Sequence, residues 1–144
     1  MLVQNILKSK SDDTVITVKA GSLMSEAIKV LSQRKIGTVL VSKDGHTAEG
    51  ILSERDIVRA LFQHGGKILS KTVDAYMTKK LVTCIRDDSA DKVLNLMTAG
   101  RFRHMPVVEK SQLVGLITLG DVVKAQLTEL KMEKDALQDM IMGH

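Results

Sequence analysis

GILSERDIVRA, residues 50–60, and GLITLGDVVKA, residues 115–125, are two versions of one stretch, and this stretch decides the fold. Each version reads as a short apolar strand that runs into an amphipathic helix, with a hydroxyl residue three positions before an acid at the junction. An offset of 65 residues aligns the following pairs: Gly50 with Gly115, Ser53 with Thr118, Asp56 with Asp121, Val58 with Val123 and Ala60 with Ala125. The chain therefore contains an internal repeat.

The similarity extends upstream of these stretches. VITVKAGSLMSEAIKVLSQRKIGTVLV, from Val15, aligns with LVTCIRDDSADKVLNLMTAGRFRHMPV, from Leu81, at an offset of 66 residues. Apolar positions and turns fall in register, and each repeat predicts the order β-α-β-β-α. In repeat one we expect strands at 16–18, 38–42 and 49–53, a helix opened by Ser22 and a helix over 54–63. In repeat two we expect strands at 82–84, 104–108 and 112–118, a helix over 89–99 and a helix from Leu119.

The pattern divides the chain into repeat one at 15–64, a linker at 65–80, repeat two at 81–127 and a C-terminal helical extension at 128–144. Gly65 and Gly66 mark a hinge, and the sequence of 68–78 predicts a short linker helix. Neither repeat is long enough for an ample core of its own. We therefore expect an α/β (α+β) fold in which the two repeats pack as one module with pseudo-two-fold symmetry.

The two end segments carry apolar positions of their own. MLVQNIL at 1–7 predicts a packing helix. The extension shows the 3-4-3-4 spacing of a helix seam, at Leu127, Leu130, Lys134, Leu137 and Ile141. This seam either folds back on its own domain or contacts a partner, and we favour the partner. The repeat-final helices are apolar at more positions than one face can bury, namely Ile57, Val58, Leu61, Val122 and Val123. Together these features predict a homodimer.

Composition argues against several function classes. The single cysteine, Cys84, excludes an internal disulfide and a multi-cysteine zinc site, and its apolar surroundings predict a core position. The four histidines lack metal-ligand spacing, and we find no nucleophile elbow, phosphate loop or dinucleotide fingerprint. We therefore expect no enzyme.

The charge and the hydropathy of the chain argue against certain classes of partner and against a membrane or secreted location. The net charge of +4 is spread thinly, and the chain has only two Phe, one Tyr and no Trp, which argues against nucleic acid as a partner. No apolar run approaches the ~20 residues of a membrane span, and the first residues lack a secretory pattern. We expect a cytoplasmic protein that does not enter a membrane.

At this point the residues carry a family resemblance. The duplicated β-α-β-β-α unit, RFRHMPVV at 101–108 and G-h-h-[ST]-x-x-D at each third strand resemble a tandem pair of cystathionine β-synthase (CBS) domains, a Bateman module, over residues 15–127. The resemblance implies a regulatory fold that binds adenine nucleotides in clefts between the repeats and dimerises. It implies AMP, ADP, ATP or NAD(H) as a regulatory ligand, no catalytic cofactor, and a regulated enzyme or transporter as a partner. The alternative is a ligand-free dimerisation scaffold for a partner protein.

The tetrads Ser53–Asp56 and Thr118–Asp121 hold the chemistry that a nucleotide needs. A ribose diol needs a carboxylate, and a phosphate needs hydroxyls, helix-start N–H groups and cations. The same S/T-x-x-D pattern is a capping box, and the two roles are compatible because one hydroxyl can serve either. From the tetrads alone both interpretations stay open, and the resemblance adds weight to the nucleotide.

The strand starts differ between the repeats. The resemblance implies that Arg103 and His104 reach phosphates, whereas repeat one has Gly37 and Thr38 there and offers Arg55 as its cation, so the two sites should differ. Thr17 and Thr83 match family positions near the base and ribose, and are as readily ordinary strand threonines. The predicted nucleotide-binding residues are Thr17, Gly37, Thr38, Ser53, Arg55, Asp56, Thr83, Arg103, His104, Met105, Pro106, Thr118 and Asp121.

Overall fold

The computed structural model describes residues 1–11 and 14–143. Its first elements are α1 (Val3–Ser9), β1 (Thr17–Lys19), α2 (Met24–Arg34), β2 (Thr38–Ser42), β3 (Gly50–Ser53) and α3 (Glu54–His64). Repeat one thus has the predicted β-α-β-β-α order. Its strands form a sheet in the order β1-β2-β3, with β1 parallel and β3 antiparallel to β2. All five side chains of β2 are buried, as the unbroken apolar run TVLVS predicts for a central strand.

Repeat two contains α4 (Ala90–Gly100), β4 (His104–Glu109), β5 (Gln112–Thr118) and α5 (Leu119–Met142). The strand predicted at 82–84 is wrong, because it is reduced to one parallel bridge between Cys84 and Val107. In repeat one the N–H of Leu40 donates to the carbonyl of Ile16 at 3.2 Å. The counterpart of Leu40 is Pro106, which has no N–H to donate. The ladder therefore cannot extend toward Val82.

The linker differs from the prediction as well. In place of one helix over 68–78 it forms two 3-10 helices, Gly65–Ser70 and Val73–Ala75. Lys71 and Thr72 between them are extended, because this segment bonds the start of α2. The N–H of Met24 donates to the carbonyl of Lys71, and the N–H of Val73 donates to the carbonyl of Ser22, both at 2.8 Å. The predicted opening of α2 by Ser22 is therefore also wrong: the helix begins at Met24, and the linker backbone takes its first N–H.

The N-terminal helix is confirmed, and it makes the same contact on repeat two. Val3, Ile6 and Leu7 of α1 are buried. The N–H of Val3 donates to the carbonyl of Asp88, and the N–H of Ala90 donates to the carbonyl of Met1, both at 2.9 Å. Residues 1–3 thus form the same pair of backbone hydrogen bonds with the start of α4 that residues 71–73 form with the start of α2.

The chain divides into two compact units that do not follow the chain order. The described residues of Met1–Asp13, Thr83–Val107 and Gly115–His144 form one unit, and Thr14–Val82 with Val108–Val114 form the other. The α1 helix therefore belongs to the unit of repeat two, although it precedes repeat one in the chain.

The predicted C-terminal extension continues α5 without a break. Its seam side chains are exposed, with relative accessibilities of 62% for Leu127, 60% for Leu130, 59% for Leu137 and 84% for Ile141. The extension therefore does not fold back on its own domain. No helix among the described residues combines the length and apolarity that crossing a membrane requires.

Candidate functional site

Both repeats end their last strand in the same hydrogen-bonded junction. Ser53 Oγ accepts from the N–H of Asp56 at 3.2 Å, and Asp56 Oδ2 accepts from the N–H of Ser53 at 2.9 Å. The bonds between Thr118 and Asp121 are the same, at 3.1 and 3.0 Å. The capping box is therefore confirmed in both repeats, and it fixes the carboxylate at the first turn of α3 and of α5.

The strand starts singled out by the sequence reach these junctions. The N–H of Glu54 donates to the carbonyl of Gly37 at 2.9 Å, and the N–H of Leu119 donates to the carbonyl of Arg103 at 2.8 Å. In repeat one, Thr38 lies opposite Ser53 in the sheet register. The fold thus brings residues 37 and 38 to the first tetrad and residues 103 and 104 to the second.

A glycine at each junction lets an outside segment approach closely. A methyl group added to Gly50 would lie 2.5 Å from Met77 Sδ, and one added to Gly115 would lie 2.8 Å from Leu7 Cδ2. Neither distance leaves room for a side chain, so alanine would push the neighbour away. The linker therefore packs on the junction of repeat one, and α1 packs on the junction of repeat two.

The linker and the segment of α1 form different hydrogen bonds with the strands on which they pack. In repeat one the backbone of Thr78 exchanges two hydrogen bonds with Ile51, at 2.8 and 3.0 Å. In repeat two the counterpart of Ile51 is Leu116, whose carbonyl accepts instead from Lys10 Nζ at 2.9 Å. The same ammonium lies 2.9 Å from Asp121 Oδ2. Sequence reasoning missed Lys10, because no local pattern links it to a residue more than a hundred positions away.

The Lys10–Asp121 pair sits in a cluster of charges. Burial alone would raise the pKa of Asp121, but the Thr118 N–H and the Lys10 ammonium outweigh it and lower that pKa. Burial lowers the pKa of His104. The negative charge of Asp121 acts in the opposite direction, and the positive charges of Lys10 and Arg103 lower this pKa further. The carboxylate is therefore charged and the imidazole neutral at pH 7.

Repeat one has a weaker set of charges at its junction. Arg55 is exposed, and the nearest cation to the carboxylate is Arg59, whose Nη1 lies 3.9 Å from Asp56 Oδ1. The Arg59 side chain is 68% exposed, so water screens this pair. The two junctions thus share their backbone geometry and differ in their electrostatics.

The remaining predicted residues lie around this frame. Thr17 is partly buried in β1 and Thr83 is exposed just before the single bridge, while Met105 and Pro106 are buried in β4. Cys84 is buried as predicted, and burial together with the charge of Asp88 raises the pKa of its thiol to about 12. Such a thiol is protonated at pH 7 and is no nucleophile.

An open groove borders the second junction. It lies between α1 and the first half of α5, with a volume of about 310 Å³, and Lys10 and Asp121 both line it along with Lys124. The ion pair is therefore within reach of solvent. Within residues 1–11 and 14–143, no three His, Cys, Asp or Glu side chains group as metal ligands would.

Comparison with known proteins gives a consistent result. The family model described as "CBS domain" matches residues 8–63 and 73–128. The CBS domain-containing protein CBSX3, mitochondrial, of Arabidopsis thaliana is 30% identical over 148 residues, covering 98% of this chain and 72% of that protein.

Two solved structures are similar along most of the chain. The CBS-domain protein ATU1752 of Agrobacterium tumefaciens is 38% identical, with a TM-score of 0.82, over 88% of this chain and 99% of that one. The CBS domain pair of protein MJ0100, solved in complex with 5′-methylthioadenosine and S-adenosyl-L-methionine, is 26% identical. Its TM-score is 0.77, over 90% of this chain and 98% of that one.

Proposed function

Because this chain belongs to the CBS domain family, we propose that it is a regulatory module that binds an adenine nucleotide, namely AMP, ADP, ATP or NAD(H), and catalyses no reaction itself. One observation carries the proposal: each repeat presents a fixed carboxylate at a strand-to-helix junction. In both, the capping hydrogen bonds use Oδ2 of the aspartate. The Oδ1 atom of a carboxylate held in this way suits a ribose hydroxyl.

The similar structure of MJ0100 supports the adenosine part of this ligand. Both molecules named with that protein contain adenosine, and neither carries a phosphate. The phosphate part rests on this chain's own cations. We infer that in repeat two Asp121 holds the ribose, while Arg103 and His104 face the phosphate and Thr118 supplies a hydroxyl.

We infer a second, different site in repeat one. There Asp56 would hold the ribose, Ser53 and Thr38 would supply hydroxyls, and Gly37 would let the adenine edge approach the backbone. Arg55 would supply the cation for phosphate at this junction, and we expect a weaker hold on phosphate than in repeat two, since the carboxylate here has only the screened Arg59 as an ion-pair partner among the described residues. Thr17 would complete the surroundings of base and ribose in repeat one, and Thr83, Met105 and Pro106 would do so in repeat two.

Regulation requires that the ligand favour one arrangement of the protein over another. We propose that the occupied module acts on a partner enzyme or transporter, and that it does so as a homodimer. The exposed apolar side chains of α3 and α5 support the dimer, among them Val58 at 65%, Phe62 at 92% and Leu127 at 62%. Sedimentation equilibrium tests the dimer, because it measures the mass of the particle in solution. The chain mass is 15.8 kDa, so a dimer should give about twice that mass.

Calorimetry with AMP tests the ligand. Asp121→Ala removes a charge-assisted hydrogen bond to ribose, and we expect AMP to bind about 10- to 150-fold more weakly. Ser89→Ala is the matched control, since it removes the cap of α4, where Ser89 Oγ accepts from the backbone N–H of Lys92, and Ser89 is not among the proposed binding residues. Unchanged AMP affinity in Asp121→Ala would overturn the assignment.

A scaffold without a ligand is the second candidate. The observation that favours it is that both tetrads are satisfied as helix caps by the chain alone. Mass spectrometry of small molecules released from purified protein separates the two candidates. A released adenine nucleotide supports the sensor, and empty protein that gives no heat with AMP, ATP or NADH supports the scaffold.

A further inference from the structure

We propose that Lys10 is a specificity-determining residue of the second repeat, and that its ammonium makes this site prefer phosphorylated over uncharged adenosine ligands. The inference rests on the proposed function and deepens it. It concerns the residue that directly follows α1, outside both repeats, and it applies to one junction and not the other.

The position of Lys10 is fixed by the packing of its segment. Lys10 follows α1 directly, and its own N–H donates to the carbonyl of Leu7, whose side chain presses on Gly115. Two contacts of Nζ, to Leu116 O and Asp121 Oδ2, are each 2.9 Å long. The Lys10 ammonium therefore occupies its position before any ligand binds, and this reduces the entropic cost of ordering the side chain on binding.

A lysine ammonium has three N–H donors. Within residues 1–11 and 14–143, two of them are used, by the carbonyl of Leu116 and the carboxylate of Asp121, which leaves one for a ligand that reaches the junction. The side chains of Lys10 and Asp121 are 21% and 23% exposed, and the groove beside them is open. A ligand can therefore meet this charge where water screens it only in part.

The charge balance at the junction explains why this donor matters. The carboxylate that suits a ribose repels the phosphate of the same ligand. With Lys10 and Arg103 present and His104 neutral, the cluster around Asp121 has a net charge of +1. Without Lys10 the sum is zero, and the cations left beside the carboxylate are the exposed Arg103 and the exposed Lys124, which lines the same groove. Lys10 thus allows one site to hold a ribose and an anion together.

Repeat one supplies the internal contrast. The place of the Lys10 contact on Leu116 is taken there by backbone bonds between Ile51 and Thr78. Lys80, at the position of Lys10 in this segment, is exposed, and within the described residues the ion pair of Asp56 is with Arg59 instead. The inferred preference for phosphate therefore belongs to repeat two. We expect ligands of the first junction to be indifferent to Lys10.

Calorimetric titration of the full chain with AMP and with adenosine tests the inference. Lys10→Gln keeps a donor for Leu116 and removes the charge. We expect AMP affinity to fall about tenfold or more and adenosine affinity to change less than about twofold. The matched control is Lys8→Gln, which removes the same charge from an exposed position of α1 and should leave both affinities unchanged.

The outcomes distinguish a failure of the proposed function from a failure of the inference about Lys10. If the wild-type chain binds none of AMP, ADP, ATP, NADH and adenosine, the proposed function fails. If it binds AMP and Lys10→Gln keeps the wild-type ratio of AMP to adenosine affinity, the inference about Lys10 fails alone. An equal loss in Lys8→Gln would also overturn it, since the effect would then be general surface charge.

A second measurement needs no variant and so does not depend on folding of Lys10→Gln. Reductive methylation of the wild-type chain, followed by peptide mass spectrometry, reports the accessibility of each lysine. We expect AMP to slow modification of Lys10 at least severalfold, adenosine to slow it less, and Lys8 to be unaffected. Modification of Lys10 at equal rates with and without bound AMP would overturn the inference.

Discussion

Repeat one and repeat two share a junction down to the hydrogen bonds of its capping box, and differ in the segment that completes it. Repeat one is completed by the linker, through Met77 and the backbone of Thr78, and repeat two by α1, through Leu7 and Lys10. The local pattern of a repeat therefore sets the geometry of the junction. The segment that arrives from elsewhere in the chain sets its charge.

The largest expected effect tests whether α1 and the linker contribute equally to the stability of the protein. Ile6 of α1 is 1% exposed and Ile68 of the linker is 0% exposed. We expect Ile6→Ala and Ile68→Ala each to lower the free energy of unfolding by about 2–5 kcal/mol, because each leaves a cavity in a core. Urea denaturation measures both. Gln33→Ala, at an exposed position of α2, is the control and should change stability by less than about 0.5 kcal/mol. A small loss in only one of the two variants would break the comparison.

The next effect sharpens the difference between the carboxylates. Asp121→Asn removes the partner of Lys10 as well as part of a cap, and should cost about 1.5–3 kcal/mol. Asp56→Asn alters the cap alone next to a screened arginine, and should cost about 0.5–1.5 kcal/mol. Denaturation of both variants without ligand gives the two losses. Equal losses would show that the Lys10 pair adds nothing to stability.

The caps should respond alike. Ser53→Ala and Thr118→Ala each remove the hydroxyl that accepts an N–H at the first turn of a helix. We expect each to lower the free energy of unfolding by about 1 kcal/mol. Ser53→Thr and Thr118→Ser, which keep the hydroxyl, are the controls. A loss several times larger at one site would mean that the hydroxyl there has a further structural partner.

The smallest effect concerns pH and exists only in repeat two. The pKa of His104 is lowered by burial below its ordinary value of 6.5, and its counterpart Thr38 does not titrate. Below that value the unfolded chain takes up a proton before the folded chain does, so stability falls as the pH falls. We expect wild-type stability to decline as the pH falls below about 7.5, by less than about 1.4 kcal/mol per pH unit from this group. The decline should be shallower in His104→Gln, and equal slopes in the two proteins would contradict the burial argument.

Much of this architecture follows from local sequence. The repeat, the order of its elements and the capped tetrads are visible because apolar spacing and the S/T-x-x-D pattern act over a few residues. The buried run at 38–42 and the strand at 112–118 have the bounds that the sequence predicts.

The misses share one physical cause, which is competition from distant parts of the chain. Ser22 does not cap α2 because the linker backbone bonds Met24 first, and the linker is not one helix because it is extended at that contact. Pro106 shortens the ladder toward Val82 from across the strand pair. Lys10 reads as one more surface lysine until the fold brings it to Asp121.

The placement of α1 has a consequence for the order in which the chain can fold during synthesis. Ile51 of repeat one meets Thr78 of the linker after a chain separation of 27 residues, whereas Lys10 meets Leu116 only after 106 residues. At a synthesis rate of about 5–20 residues per second, α1 waits roughly 5–20 s for its partner, with Val3, Ile6 and Leu7 uncovered. Contacts of such separation are also slow to form once the chain is complete. The helix that leaves the ribosome early is therefore among the last elements to dock, and the nascent chain is most prone to aggregation during that interval.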